Sequence, residues 1–138
     1  ASRPRLQSAA LVPAKAYNRA AKARVLLRRQ FMEVLDQVDV LVSPTSPYPA
    51  PKHTTLTGVF QTAEDVRSRF FFRRSYTGCY ALASLPAISI PGGFTSDNLP
   101  IGLQLGARPF GEGTLFRAAH AYEQATPWHT RLAPFAAG

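Results

Sequence analysis

The sequence predicts a chain of the α/β class, because segments with helical periodicity alternate with short apolar runs typical of strands. From Lys15 to about Gln37, apolar residues recur at nearly every third or fourth position, as on the buried face of a helix. A second helical pattern covers Glu112 to Ala125 and ends before Pro127. Strand candidates occupy residues 38–44, 87–90 and 101–106.

The composition is that of one globular unit with a strongly basic surface. Of the 138 residues, 46% are hydrophobic and 17% charged, and the net charge is +8. Ten basic residues cluster in two predicted helices: Lys15, Arg19, Lys22, Arg24, Arg28, Arg29, Arg67, Arg69, Arg73 and Arg74. Charge alone is nonspecific, so we expect a solvated or partner-balanced face and regard nucleic acid as the less favoured partner.

The first helix has one irregularity, and the strand after it has a proline-rich continuation. Pro13 suits the first helical turn, and Arg24 interrupts the apolar stripe. Its guanidinium either reaches water past a packed stem or pairs with a carboxylate. The run "VDVLVSP" predicts a strand buried on both faces, and "PTSPYPAP" is either a rigid connector or a loop lining a site.

The middle of the chain combines a third helical pattern with the segment "ALASLPAISIPGGF". A helix is predicted from about Ala63 into the seventies, and "YALAS" is typical of a further helical turn. Pro86 and Pro91 are expected to bound a buried strand that breaks into a tight Gly-Gly turn. The following "LPIGLQLGA" alternates apolar residues with glycine and glutamine, which indicates a half-buried strand joined to the previous one as a long-loop hairpin.

Residues for a complete catalytic site are not evident in the sequence. No nucleophile elbow, phosphate loop or zinc motif occurs, and His53, His120 and His129 lie far apart. We therefore expect no metal and no cofactor. A single cysteine, Cys79, excludes an internal disulfide and favours a reducing, cytoplasmic location, and we expect it to be an inert buried thiol. No apolar run is long enough for a bilayer span, so no membrane partner is expected.

Four segments of the sequence resemble the C-terminal part of the amidase signature family. They are "AYNRAAKARVLLRRQF", "FMEVLDQVDVLVSPTSPYPAP", "ALASLPAISIPGGF" and "NLPIGLQLGARPFGEGTLFRAAHAYEQATPWH". The resemblance covers about Leu6 to Pro134, and it implies a mixed β-sheet flanked by helices. It also implies that residues 1–138 are the C-terminal fragment of a single amidase domain whose N-terminal catalytic portion is absent. Such a gap agrees with the sheet, because three short strands and three helices cannot cover a strand buried on both faces.

The resemblance further implies an enzyme that cleaves carboxamides through a Ser–cis-Ser–Lys triad and an acyl-enzyme. In the family, the triad lies upstream of the region matched here, so no catalytic residue is assigned. Lys15, Lys22 and Lys52 match no catalytic position, and the fragment alone is expected to be inactive. The expected partner is a small-molecule amide substrate, and a homo-oligomer is possible. Two alternatives stay open, a basic module binding RNA or an acidic partner through Arg19 to Arg29, and an inactive relic.

By the same resemblance, "SPTSP" and the segment from Arg74 to Tyr80 lie near the substrate cavity. The candidate substrate-binding residues are Thr45, Arg74, Tyr76 and Tyr80. The family usually has glycine and asparagine where this chain has Ser84 and Ala81. The A subunits of glutamine-dependent tRNA amidotransferases resemble this region too but tend to carry an acidic residue at the position of Arg74. Because an arginine would repel the ammonium of free glutamine, the sequence favours a general amidase.

Overall fold

The computed structural model describes residues 7, 9–51, 62, 64 and 76–131. In chain order the elements are α1 (Ala14–Leu35), β1 (Leu41–Pro44), α2 (Thr77–Ala83), β2 (Ala87–Phe94), β3 (Pro100–Gly106), α3 (Glu112–Ala125) and a 3-10 turn (Trp128–Thr130). Both long helices and all three strands were predicted. The helix expected from about Ala63 falls almost wholly outside the described residues.

The three strands form one antiparallel sheet in the order β1-β3-β2. Ser43 and Ser89 lie opposite Gln104, one on each side of the central strand. The next row along pairs Val42 and Ile88 with Leu105. Because side chains alternate between faces, the first row is on one face of the sheet and the second row is on the other. The α/β class and the β2-β3 hairpin are confirmed.

The predicted Gly-Gly turn is wrong. Strand β2 continues through Pro91 to Phe94, with a bulge between Pro91 and Gly93, which has a φ of 129°. Proline is tolerated there because β2 is an outer strand of this sheet, and the bulge accommodates the interrupted ladder. The chain instead reverses at Thr95–Leu99, where Asn98 adopts a φ of 58° and its N–H donates to the Thr95 carbonyl at 2.9 Å.

Two apolar clusters hold the sheet between helices. On one face, Ile90 and Leu105 pack with Leu115 and Ala119 of α3. On the other, Leu35 of α1 packs with Tyr80 and Ala83 of α2 and with Leu85. The sheet therefore has α3 on one side and the α1-α2 pair on the other.

The distribution of burial between the strands reverses the sequence-based expectation. Strand β1 was predicted to be buried on both faces, yet Val42 is 63% exposed. Val42 is exposed because β1 lies at the edge of the sheet, whereas α3 packs over β2 and β3. Strand β3 was predicted to be half-buried, yet its polar side is covered as well, and Gln104 is only 4% exposed.

Three arginines hold the C-terminal ends of helices. Arg28 Nη1 donates to the carbonyls of Ala83 and Ser84 at 2.6 and 2.9 Å, at the end of α2. Arg24 Nη2 donates to Ser84 Oγ at 2.8 Å, in an exposed position, which agrees better with a guanidinium that reaches water than with the alternative of a buried ion pair. Arg108 Nε donates to the Leu35 carbonyl at 2.8 Å, at the end of α1. Part of the basic surface is thus balanced by helix C-terminal carbonyls, which carry partial negative charge.

Candidate functional site

A line of polar side chains crosses the α1-α2 face of the sheet. We call it the polar strip: Ser43, Thr45, Ser89 and Gln104 on the three strands and their ends, with the Tyr80 phenol at one end. Strand alternation places the first four on one face, and the ring of Tyr80 covers Gly106 on that same face. A side chain on Gly106 would occupy the space of the Tyr80 ring, so glycine is required for this close approach.

Gln104 is the buried centre of the polar strip. Its Oε1 atom is inaccessible to water and has no hydrogen-bond partner among the described residues. The Ser43 hydroxyl beside it is also buried, and it forms no hydrogen bond of good geometry with any described residue. A buried polar atom left unpaired costs about 1–3 kcal/mol, so the strip is complete only when a further donor reaches it.

At the more exposed end, two hydroxyls form a short pair. Thr45 Oγ1 lies 2.6 Å from Ser89 Oγ, and the Thr45 N–H donates to the Gly102 carbonyl at 2.8 Å. A Cβ at Gly102 would stand 2.7 Å from Thr45 Oγ1 and 3.0 Å from Ser89 Oγ. Only one hydroxyl of the pair can donate to the other, so the second keeps a proton for an outside acceptor.

The opposite end of the strip is a neutral phenol. Burial raises the pKa of Tyr80, the developing charge on Cys79 raises it further, and the Ser43 hydroxyl lowers it by a smaller effect. Because the ordinary pKa of tyrosine is already near 10, the phenol stays protonated at neutral pH and can act as a hydrogen-bond donor.

The predicted substrate-binding residues are partly brought together. Thr45 and Tyr80 share one face of the sheet, at the two ends of the polar strip. Tyr76 lies immediately before α2, one helical turn before Tyr80, and is 39% exposed. Arg74 lies outside the described residues. The proline-rich loop after β1 lines a cavity of about 200 Å³ with Tyr48, Thr95 and Gly102, which supports the site-lining interpretation over a plain connector.

Other chemically active side chains do not join the strip. His120 is exposed on α3. Cys79 is half-buried, and its thiol donates to the Tyr76 carbonyl at 2.7 Å. Among the described residues, no three histidine, cysteine or acidic side chains come close enough to hold a metal ion. None of the described helices combines the length and apolar character of a bilayer-crossing segment.

The chemistry of the strip is hydrogen bonding without charge. Its hydroxyls, phenol and carboxamide suit a neutral group that both donates and accepts hydrogen bonds, as an amide does. Within the described residues, no histidine, lysine or carboxylate hydrogen-bonds the hydroxyls of the strip.

Sequence reasoning missed Gln104 and Ser43. A signal was present, because Gly102 and Gly106 flank Gln104 on the same face of β3, and glycines leave open space above a strand. The pattern was interpreted as a solvent-facing side, since a pair of glycines in one strand does not reveal what covers it.

Comparison with known proteins gives a consistent result. The family model described as "Amidase" matches residues 2–116. The A subunit of the glutamyl-tRNA(Gln) amidotransferase of Geobacter metallireducens is 40% identical over 119 residues, which cover 85% of this chain and 23% of the relative. The protein of the same name from Myxococcus xanthus is 44% identical over 118 residues, which cover 86% of this chain and 23% of that protein. The chain therefore spans about a quarter of the length of these curated relatives.

Solved structures match over most of the described fold. The A subunit of the glutamyl-tRNA(Gln) amidotransferase of Thermotoga maritima superposes with a TM-score of 0.67 at 35% identity, covering 91% of this chain and 27% of that one. A 6-aminohexanoate cyclic dimer hydrolase superposes with a TM-score of 0.73 at 25% identity, with the same coverage of both chains.

Proposed function

Because this chain belongs to the Amidase family, we propose that it is part of a longer enzyme that cleaves the C–N bond of a carboxamide. Residues 1–138 build one wall of the substrate cavity, and the nucleophilic serine and the lysine base lie in a preceding segment. A neutral amide, either hydrolysed or passed on as ammonia, is the substrate class.

The observation that carries this proposal is the polar strip. The exposed end of the strip matches an amide by chemistry, because the Thr45–Ser89 hydroxyl pair can donate to the carbonyl oxygen of an amide and accept from its N–H. A charged ligand would fit poorly, since the strip offers no counter-charge and a buried unpaired charge is costly. In this proposal the strip binds and orients the substrate, and the groups that break the C–N bond come from the preceding segment.

The test compares two chains and four variants. Residues 1–138 alone should release no ammonia from simple carboxamides, whereas the longer protein should. In the longer protein, Thr45→Val and Tyr80→Phe should each raise KM by about tenfold, the loss of roughly one hydrogen bond to substrate, with a smaller effect on kcat. The controls are Thr126→Val, whose hydroxyl donates to the Tyr122 carbonyl at the end of α3, and the exposed Tyr17→Phe. Turnover by residues 1–138 alone would refute the placement of the chemistry upstream.

A second candidate is the A subunit of a glutamine-dependent tRNA amidotransferase. It is favoured by the identity of 40% and 44% to two proteins of that name. Arg74 argues against it, because its charge opposes the ammonium of glutamine. If glutamine is the nitrogen donor, the longer protein should hydrolyse glutamine in preference to simple amides. If glutamine is not the nitrogen donor, the longer protein should hydrolyse glutamine only after the substitution Arg74→Asp.

We further propose a cytoplasmic location, from the single cysteine and the reducing compartment that it favours.

The arginines that cap α1 and α2 reduce the case for an RNA-binding face. Arg28 is already engaged with the end of α2, so its charge is not free for a phosphate. A homo-oligomer remains a prediction to be checked by light scattering of the longer protein.

A further inference from the structure

A second cavity lies at the hairpin end of β2 and β3, where it borders the polar strip at Ser89. It has a volume of about 430 Å³, within the range of small-molecule sites. Its walls are the hairpin and the 3-10 turn after α3, and the lining that matters here is Ser89, Phe94, Ile101, Trp128, His129 and Arg131.

The floor of this cleft is aromatic. The rings of Phe94 and Trp128 meet edge to face with their centroids 6.3 Å apart. Gly93 lies against Trp128, and a Cβ at this position would be in ordinary contact with the indole, at 3.8 Å. The two rings are inclined at 60°, so the indole of Trp128 by itself is the flat apolar surface on which another ring can stack.

The Arg131 guanidinium lies over this floor, and none of the described residues occupies its hydrogen-bonding edge. The Arg131 guanidinium carbon lies 4.1 Å from the centroid of the Phe94 ring. Stacking engages the face of the guanidinium and leaves its in-plane N–H groups free, which are the groups that bind oxyanions bidentately. Among the described residues, Arg131 forms no ion pair and its side chain donates no hydrogen bond. None of the described residues lining the cleft is acidic.

From this arrangement we propose that the cleft binds an oxyanion carried on a flat apolar ring. The oxyanion lies in the plane of the Arg131 guanidinium, with the imidazole of His129 available as a further donor. The ring lies against Trp128 and Ile101. This site is distinct in chemistry from the polar strip, which has no charge, and it does not depend on the proposed amidase activity. A carboxylate and a phosphate share the required chemistry.

The test uses residues 1–138 and the fluorescence of Trp128, which is the single tryptophan of the chain. Benzoate and benzamide are matched probes, since they share a ring and differ in charge. Benzoate should change the Trp128 fluorescence saturably and bind at least about tenfold more tightly than benzamide, as expected for a charge-assisted hydrogen bond. Inorganic phosphate, an oxyanion without a ring, should bind more weakly than phenyl phosphate. The ratio of phenyl phosphate to benzoate affinity identifies which oxyanion is preferred.

The variants make the proposal falsifiable. Arg131→Gln should abolish the preference for benzoate over benzamide. The control, Arg117→Gln, removes an exposed arginine of α3 whose guanidinium binds Thr114 Oγ1, and it should keep the preference. Circular dichroism of both variants checks that the fold is retained. Equal affinity for the two probes, no saturable change, or an unchanged preference in Arg131→Gln would each overturn the proposal.

Discussion

At the scale of single residues, Ser84 shows how a local conflict is resolved by a distant side chain. It ends α2 with a φ of 53° and a ψ of 52°, in the left-handed region where glycine is favoured. The amidase signature family usually has glycine at this position. Arg24 compensates in part, because it donates to the Ser84 hydroxyl from α1.

The strain at Ser84 predicts opposite results for two small substitutions. Ser84→Gly should be more stable to urea than Ser84→Ala by about 1 kcal/mol, because both remove the hydroxyl and only glycine relieves the left-handed backbone. As a control, Ala81→Gly inside α2 should lose about 1 kcal/mol, the ordinary cost of glycine in a helix. Equal stability of Ser84→Gly and Ser84→Ala would show that the backbone at this position is unstrained.

At the scale of elements, the close approach of α2 to β3 decides the site. Tyr80 reaches the polar strip because its ring lies directly on Gly106, and Phe31 of α1 packs against that ring with centroids 5.2 Å apart. One small residue in the central strand thus sets the height of a helix above the sheet. The clamp of Arg28 on the end of α2 fixes the same helix from the other side.

Gly106→Ala tests this approach. The added methyl group would overlap the Tyr80 ring, and displacing α2 should cost about 1–3 kcal/mol of unfolding free energy, measured in urea. Gly113→Ala is the matched control, because its nearest neighbour would be 3.7 Å away and it lies in the first turns of α3. Alanine there should stabilise by up to about 1 kcal/mol. A Gly106→Ala protein as stable as the parent would mean that Tyr80 does not lie on the strand.

At the scale of the whole molecule, two features are left incomplete by the residues that the structure describes. The Oε1 of Gln104 is buried without a partner among the described residues, and Val42 is exposed on the sheet edge. Both agree with the proposal that residues 1–138 form one part of a longer enzyme. The relatives are about four times as long as the segment they share with this chain.

The change in unfolding free energy caused by Gln104→Met is expected to have opposite signs in residues 1–138 and in the longer protein. In residues 1–138 alone the substitution removes, at similar volume, a buried carboxamide whose oxygen has no partner among the described residues, so the unfolding free energy should rise by about 1 kcal/mol. In the longer protein, where we propose that a donor reaches Gln104, the same substitution should destabilise by a similar amount. The measurement is thermal or urea unfolding of both chains. In each chain, Gln124→Met on the exposed side of α3 is the control substitution. The same sign in both lengths would contradict the proposed completion of the strip.

Local patterns determined much of this fold. The periodicity of α1 and α3, the apolar strands and the β2-β3 hairpin depend on neighbouring residues, and they were predicted. The resemblance to the amidase family was likewise contained in short motifs of the chain.

Only the tertiary structure decided which strand lies at the centre and what covers each face. Val42 is exposed and Gln104 buried because β3, and not β1, is the middle strand, and strand order is a property of long-range pairing. The Gly-Gly segment continues a strand because β3 pairs with it beyond Pro91. Tyr80 and Thr45 share a site because a helix and a sheet meet, which no spacing along the chain encodes.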